Sequence, residues 1–357
     1  MSFEGVNFDI FMVIIDYLPL EDAIFLTHVN KIFSYYSKSI KDIEYMKKIV
    51  KYKIDYIDPC NYIYFSNKKN IKDYFKNGAP SCKKIFDLYM TDYCSSEINT
   101  SCMGITSFPV YPKMTHFYGS NNKLTTFPVQ PKMTHFYGDR NKLKTFPVQP
   151  KMTHFHGEYN ELTSFPMQPK MTHFYGECNE LTSFSVQPKM SRFYGGFNQL
   201  TSFPIQQKMV HFEGDNNQLT TFPYQPKMTH FHGEYNELTS FEVQPKMTHF
   251  TGSSNKLTTF PTQPKMTEFR CNKNNLSSFP IQPCMIKFIG DFNQLVSFPS
   301  QPKMKEFKAA CNQIISFSPQ PSIFSLKEDC DNIVSFSIHH CSIVHTKSYN
   351  HLASFTI

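Results

Sequence analysis

The chain has 357 residues, 36 Lys+Arg against 29 Asp+Glu, 36 phenylalanines and no tryptophan. That supplies enough apolar side chain for a core, and a net charge of +7 is too modest to name nucleic acid as a partner on charge alone. Ten cysteines without a CxxC pair exclude a disulfide framework or a zinc-ribbon pattern and point to free thiols in a reducing compartment. The N-terminus lacks a basic region and a small-residue cleavage site. The longest apolar run, around Ile10–Leu18, is broken by Asp16 and is too short to span a bilayer. A soluble cytoplasmic or nuclear chain with no membrane partner is the expectation.

In residues 1–40 the apolar positions Phe11, Ile14, Ile15, Leu18, Ile24, Phe25, Val29, Ile32 and Phe33 are spaced for two or three short helices. Pro19-Leu20-Glu21-Asp22 is a break followed by a helix start with acidic residues in its first turn. The elements Ile14-Ile15-x-Tyr17-Leu18, Glu21-Asp22, Leu26 and Val29-Asn30-Lys31-x-Phe33 resemble an F-box. That resemblance implies docking on the Skp-type adaptor of a cullin ubiquitin ligase through Ile14, Ile15, Leu18, Leu26, Val29, Lys31 and Phe33. An unrelated helical cap is the other reading of the same residues. Residues 41–82 are expected to form a helical linker. Residues 83–108 read as a degenerate N-terminal capping repeat, with Ile98, Ile105 and Phe108 on the grid of the units that follow.

From Phe108 to Phe355 a phenylalanine recurs every 19 residues without an insertion or deletion. The unit is M-x-x-F-x-G-x-x-N-x-L-x-x-F-P-x-Q-P-K, as in Met133 to Lys151. Two prolines and a glycine per unit exclude a long helix. A short strand fits around Phe136, with Phe136 and Gly138 pointing inward and His135 and Tyr137 outward. Phe146-Pro147-x-Gln149-Pro150 fits an extended or polyproline return. Each unit is then one turn of a coil, regular over 109–325 and degenerate over 326–357. The pattern resembles the leucine-rich repeat L-x-x-L-x-L-x-x-N-x-L, with Phe and Met in place of Leu. The return resembles the short proline-containing repeats of some bacterial effectors. "FYGGFNQL" (193–200) and "FIGDFNQL" (288–295) resemble the FNIP-type repeats of protist and giant-virus proteins, which implies a host cell as one setting. The fold expected is a short helical N-terminal region followed by a leucine-rich-repeat-type solenoid, with parallel strands on the concave face and extended convex returns.

The asparagine column, Asn122 to Asn312, is expected to turn inward, where its amide satisfies backbone groups left at the corner after each strand. The glycine column, Gly119 to Gly290 with Cys271 and Ala309 as substitutes, is expected to be small because two Phe columns fill the interior. The outward strand positions form two rows on the concave face, where solenoids present binding surfaces. Their candidate partner-binding residues are His116, His135, Tyr137, His154, His156, His173, Tyr175, Tyr194, His211, His230, His232 and His249. A third row of carboxylates, from Asp139 to Asp291, is expected to fringe them.

Metal ligation by His154/His156 or His230/His232 is weighed against the poor convergence of a flat ladder, and no metal or cofactor is expected. The same holds for "HHCSIVH" (339–345). Catalysis by pairs such as His173 and Glu177 lacks a pocket and a nucleophile. The lysine row from Lys113 to Lys303 reads as a solvated edge; nucleic acid through that row is the less favoured alternative. The function expected is non-catalytic. The F-box-like segment would dock on a Skp-type adaptor, and a sheet about 60 Å long, at about 4.8 Å per strand, would hold an unknown target protein. The alternative is an interaction scaffold without a ligase link.

Overall fold

The computed structural model describes residues 96–108, 110, 111 and 113–321, together with the strands Ser325–Lys327, Ser335–Ser337 and Ser354–Thr356. The helices expected in 1–40 and 41–82, the adaptor-binding residues Ile14 to Phe33 and the segment 339–345 lie outside the described residues. Among the described residues there is no helix.

One strand per unit builds a 13-stranded parallel sheet running from Glu97–Asn99 to Ser325–Lys327. Neighbours pair one unit apart in exact register: His116 faces His135, Phe117 faces Phe136 and Tyr118 faces Tyr137. Each strand is only three residues long because the sequence allows no more. The central Phe is buried between two half-exposed flanks, and the glycine that follows ends the alternation. The sheet begins at Glu97–Asn99, paired with His116–Tyr118. Ile98, Ile105 and Phe108 are buried there on the same grid as the later units.

The interior is made of four apolar columns: Met, the strand Phe, Leu and the return Phe. Phe117 packs on the next strand's Phe136 at 5.3 Å between ring centroids and on the return's Phe127 at 4.7 Å. The same two contacts recur in every regular unit, and each aromatic pair adds about 0.5–1.5 kcal/mol beyond its area burial. The glycine column follows from this packing. A Cβ on Gly119 would stand 2.1 Å from the Phe117 ring, because the strand Phe folds back beneath the glycine two residues later. The residue before each Asn adopts a left-handed conformation without being glycine, as at Arg140 (φ 54°), Tyr159 (φ 54°) and Phe197 (φ 54°). Its N–H donates to the neighbouring unit, Arg140 N to the Glu158 carbonyl at 2.9 Å, so inter-turn bonding helps to hold the reversal.

Asparagines turn inward as the corner requires. Asn141 Oδ1 accepts from Leu124 N at 3.0 Å, and its Nδ2 donates to the carbonyls of Gly119 and Gly138 at 2.8 and 3.0 Å. A second buried amide column lies in the return. Gln149 Oε1 accepts from Gln130 N at 2.7 Å, and Gln149 Nε2 donates to the Pro128 carbonyl at 3.0 Å. The prolines that flank most of these glutamines have no N–H to build a ladder, and the glutamine side chain joins the turns there. Toward the C-terminal end the returns depart from the extended form. Ser297–Phe298, Ser316–Phe317, Ser335–Ser337 and Ser354–Thr356 pair as a second, four-stranded parallel sheet. Ser318 stands where most units have proline, and its N–H donates to the Phe298 carbonyl at 3.0 Å.

Candidate protein-binding face of the sheet

The twelve outward residues singled out in the sequence fall in two rows on one face of the sheet. In the first row His116, His135, His154 and His173 stack at 4.3, 4.4 and 4.5 Å between ring centroids, nearly parallel. Arg192 interrupts the stack. It resumes with His211, His230 and His249, at 5.6 and 4.5 Å. In the second row Tyr118, Tyr137, His156, Tyr175 and Tyr194 stack at 5.0, 4.7, 4.1 and 4.6 Å. His232 is brought against His211 at 5.6 Å. The in-register pairing sets these spacings, since identical positions of adjacent units lie about 4.8 Å apart in the hydrogen-bonding direction.

A threonine column, unread in the sequence, orients the first row. Thr134 Oγ1 donates to the Thr115 carbonyl at 3.1 Å and lies 2.9 Å from His135 Nδ1. When the hydroxyl gives its hydrogen to the carbonyl it accepts from Nδ1–H of the imidazole, and in that tautomer Nε2 is left as an acceptor. The same pair of contacts recurs at Thr153–His154, Thr172–His173, Thr229–His230 and Thr248–His249. Val210 breaks the series, and His211 Nε2 instead makes a long contact of 3.5 Å to Glu213 Oε2. His211 thereby holds the Glu213 carboxyl below the usual range.

Burial, followed by the neighbouring imidazoles, lowers His135 to about 4; burial, then His154 and the Arg192 guanidinium, lowers His173 to about 4. Burial also lowers His154, His156, His230 and His232. At neutral pH these six rings are uncharged. Two features oppose a metal site: the Nδ1 atoms are engaged by threonines, and the rings are parallel rather than convergent. No group of three or more His, Cys, Asp or Glu among the described residues could hold a metal ion. His173 and Glu177 make no close contact; the histidine–carboxylate contacts on this face are His156–Glu158 at 3.7 Å, His211–Glu213 at 3.5 Å and His249–Glu268 at 3.9 Å, each an ion pair only when the imidazole is protonated. The five cysteines among the described residues are free.

The carboxylate row follows each strand and is half-buried apart from the buried Asp291, and two of its members cap backbone amides of the next unit. Asp215 Oδ1 accepts from Glu234 N at 2.6 Å, and Asp291 Oδ1 accepts from Ala310 N at 2.9 Å. Asp291 is buried and pairs with Lys308 at 2.8 Å. Burial raises Asp139 to about 7 and Asp215 to about 6, with adjacent carboxylates adding to both. Burial also raises Glu177.

The parallel one-strand-per-turn sheet, inward asparagines and proline-bearing returns define a solenoid of the leucine-rich-repeat type. YopM, a leucine-rich effector protein from Yersinia pestis, is similar in structure: TM-score 0.56 at 20% identity, covering 80% of this chain and 88% of that one. The functional domain of InlJ from Listeria monocytogenes aligns with a TM-score of 0.44 at 16% identity, covering 71% of this chain and 69% of that one. A leucine-rich-repeat protein of Leptospira interrogans aligns with a TM-score of 0.44 at 12% identity, covering 78% and 94%. The likeness to YopM shows the fold, and at that identity the fold alone. No protein-family model matches the sequence, and no curated protein matches it. Among the described residues no helix is long and apolar enough to cross a membrane.

Proposed function

We propose that this chain is a protein-binding scaffold whose partner lies on the His/Tyr face of the sheet. One observation carries the reading: stacked imidazoles and phenols share one face of the sheet, with first-row rings at His116–His173 and His230–His249 and second-row rings at Tyr118–Tyr194, and the threonine column orients the first-row imidazoles. Stacked rings lose little freedom on contact and offer both apolar area and hydrogen bonding, which is the composition of protein interfaces. With Nε2 as the acceptor, the first row selects a partner face rich in hydrogen-bond donors: backbone N–H, amide, hydroxyl or guanidinium groups. Leucine-rich-repeat proteins similar in fold include an effector.

The finer reading makes the chain the substrate-recognition subunit of a cullin-type ubiquitin ligase. Its support is the F-box resemblance at Ile14, Ile15, Leu18, Leu26, Val29, Lys31 and Phe33. Two captures test the two parts. Partners purified with the full chain from a host cell are expected to be lost with Tyr137→Ser, Tyr175→Ser and Tyr194→Ser combined, at unchanged far-UV spectrum; retention of every partner sinks the sheet-face reading. A purified Skp-type adaptor is expected to bind the full chain and not a Leu18→Ala, Phe33→Ala variant. No adaptor binding by the full chain leaves a scaffold without a ligase link.

A further inference from the structure

The outer wall of the coil carries a pattern that the sheet face does not. Within each unit the strand Phe and the return Phe meet inside, as Phe117 and Phe127 do at 4.7 Å, so outward side chains of the return lie on the wall away from the His/Tyr face. There the residue before each return glutamine is exposed and apolar in turn after turn: Val129 at 50%, Val148 at 49%, Met167 at 50%, Val186 at 52%, Ile205 at 47% and Val243 at 46%. Tyr224 at 43% occupies the same column, and Ile281 at 53% resumes it after Thr262. A core position would be buried and a solvated loop position would be polar, so neither role accounts for this row.

Three residues on from each, a lysine forms a parallel row, unbroken from Lys113 through Lys132 and each later unit to Lys265. Among the described residues none of these nine lysines has an ion-pair partner; the ion pairs of the array lie elsewhere. Between each Leu and the Met of the following unit, from Leu124 to Met304, the only carboxylate is Glu242. The nine cations follow one another at about 4.8 Å, over about 38 Å. An aliphatic row flanked by an uncompensated cationic row is thus built into one wall.

We propose that this wall lies on an anionic lipid surface, with the Val/Met/Ile row entering the headgroup boundary and the lysines facing acidic headgroups. Three features select that occupant. The lysine row repels a second copy docked through the same wall, so the charge calls for an acidic surface. The apolar row is aliphatic, with one tyrosine, so it lacks the aromatic platforms on which single-stranded nucleic acid stacks. Finally, most turns from Val129 to Val243 present an aliphatic residue beside a lysine, a repetition that gives a folded partner little register and that a fluid surface does not need. Among the described residues no helix is long and apolar enough to cross a membrane, so the contact proposed is with the surface of the bilayer.

The test is co-sedimentation of the full chain with vesicles of phosphatidylcholine alone and of phosphatidylcholine mixed with phosphatidylserine, at low and high salt. The chain is expected to partition onto the mixed vesicles, to leave them as salt rises, and to ignore neutral ones. Val148→Ser with Val186→Ser and Ile205→Ser, all exposed positions whose replacement leaves the core intact, are expected to cut partition at least fivefold. Lys151→Gln with Lys170→Gln and Lys189→Gln are expected to do the same and to reduce the salt dependence. Unchanged melting curves confirm that the variants fold. No partition of the folded wild-type chain at low salt overturns the proposal. So does partition that the valine and isoleucine changes leave untouched, or binding to single-stranded RNA without binding to vesicles.

Discussion

Two buried amide columns run side by side through this array, and they do different work. Each asparagine sits where the chain leaves the sheet and bonds backbone groups of its own turn and of its neighbour. Each glutamine has at least one proline close by, and its side chain bonds backward to the preceding turn, with Gln320 adding a bond to its own Ser318 carbonyl. The asparagine therefore shapes the corner and joins turns, whereas the glutamine only joins turns that proline has deprived of backbone donors. Where a return donor reappears, at Ser318, backbone pairing takes over part of that role. An amide is thus required inside this fold wherever the backbone cannot pair with its copy one turn away.

The contrast makes ranked predictions. Asn198→Ala removes the acceptor for Leu181 N and the donor for the carbonyls of Gly176, Gly195 and Gly196. It is expected to cost about 3 kcal/mol from the orphaned buried groups, read as a lower urea midpoint with accelerated hydrogen exchange around residues 181–198. Gln187→Ala orphans Gln168 N and the Pro166 carbonyl and is expected to cost about 1–2 kcal/mol by the same measurement. Equal losses for the two variants would dissolve the distinction between the columns.

The pH response is the next effect in size. Histidines lowered in the folded chain take up protons on unfolding between about 6.5 and their folded values, so their contribution to stability is lost as pH falls through that window. Asp139, Asp215 and Glu177, raised in the folded chain, act oppositely: their carboxyls bind protons more readily when folded, and they destabilise as pH rises toward 7. Six lowered imidazoles outnumber three raised carboxyls, so the melting temperature is expected to fall from pH 7.5 to pH 5. Asp139→Asn removes one compensating group and is expected to steepen that fall while raising the melting temperature at pH 7.5. A flat profile in both proteins would show that the ladder does not stay neutral through folding. The smallest effect is expected for Lys256→Ala, whose partner Glu237 is largely in solvent: under about 0.5 kcal/mol.

The sequence made the coil, the inward asparagines and the small glycine column legible, because each is a column of nearly constant identity with one physical cause. The His/Tyr rows were legible as a face but the hydrogen bonds that orient their imidazoles were not, because the threonine one residue earlier reads as an ordinary strand residue. Glutamine was passed over because it is a surface residue in most folds, and only the missing proline donors explain its burial. The left-handed position left no signature at all. It is filled by Asn121, Arg140, Tyr159, Cys178 and Phe197 in turn, since the conformation is held by inter-turn bonds and the side chain is left unconstrained. The carboxylates are legible as a fringe, but the caps that Asp215 and Asp291 place on backbone amides of the next unit leave no sign in the sequence.

Every bond that joins the turns reaches 17 to 22 residues along the chain and no further. Such an array behaves under tension like a stack of equal links rather than one knot. Pulled from its two ends, it gives way turn by turn, each rupture releasing one 19-residue unit and about 60 Å of extended chain. The force needed is set by a single pair of neighbours and stays the same however many turns the stack contains.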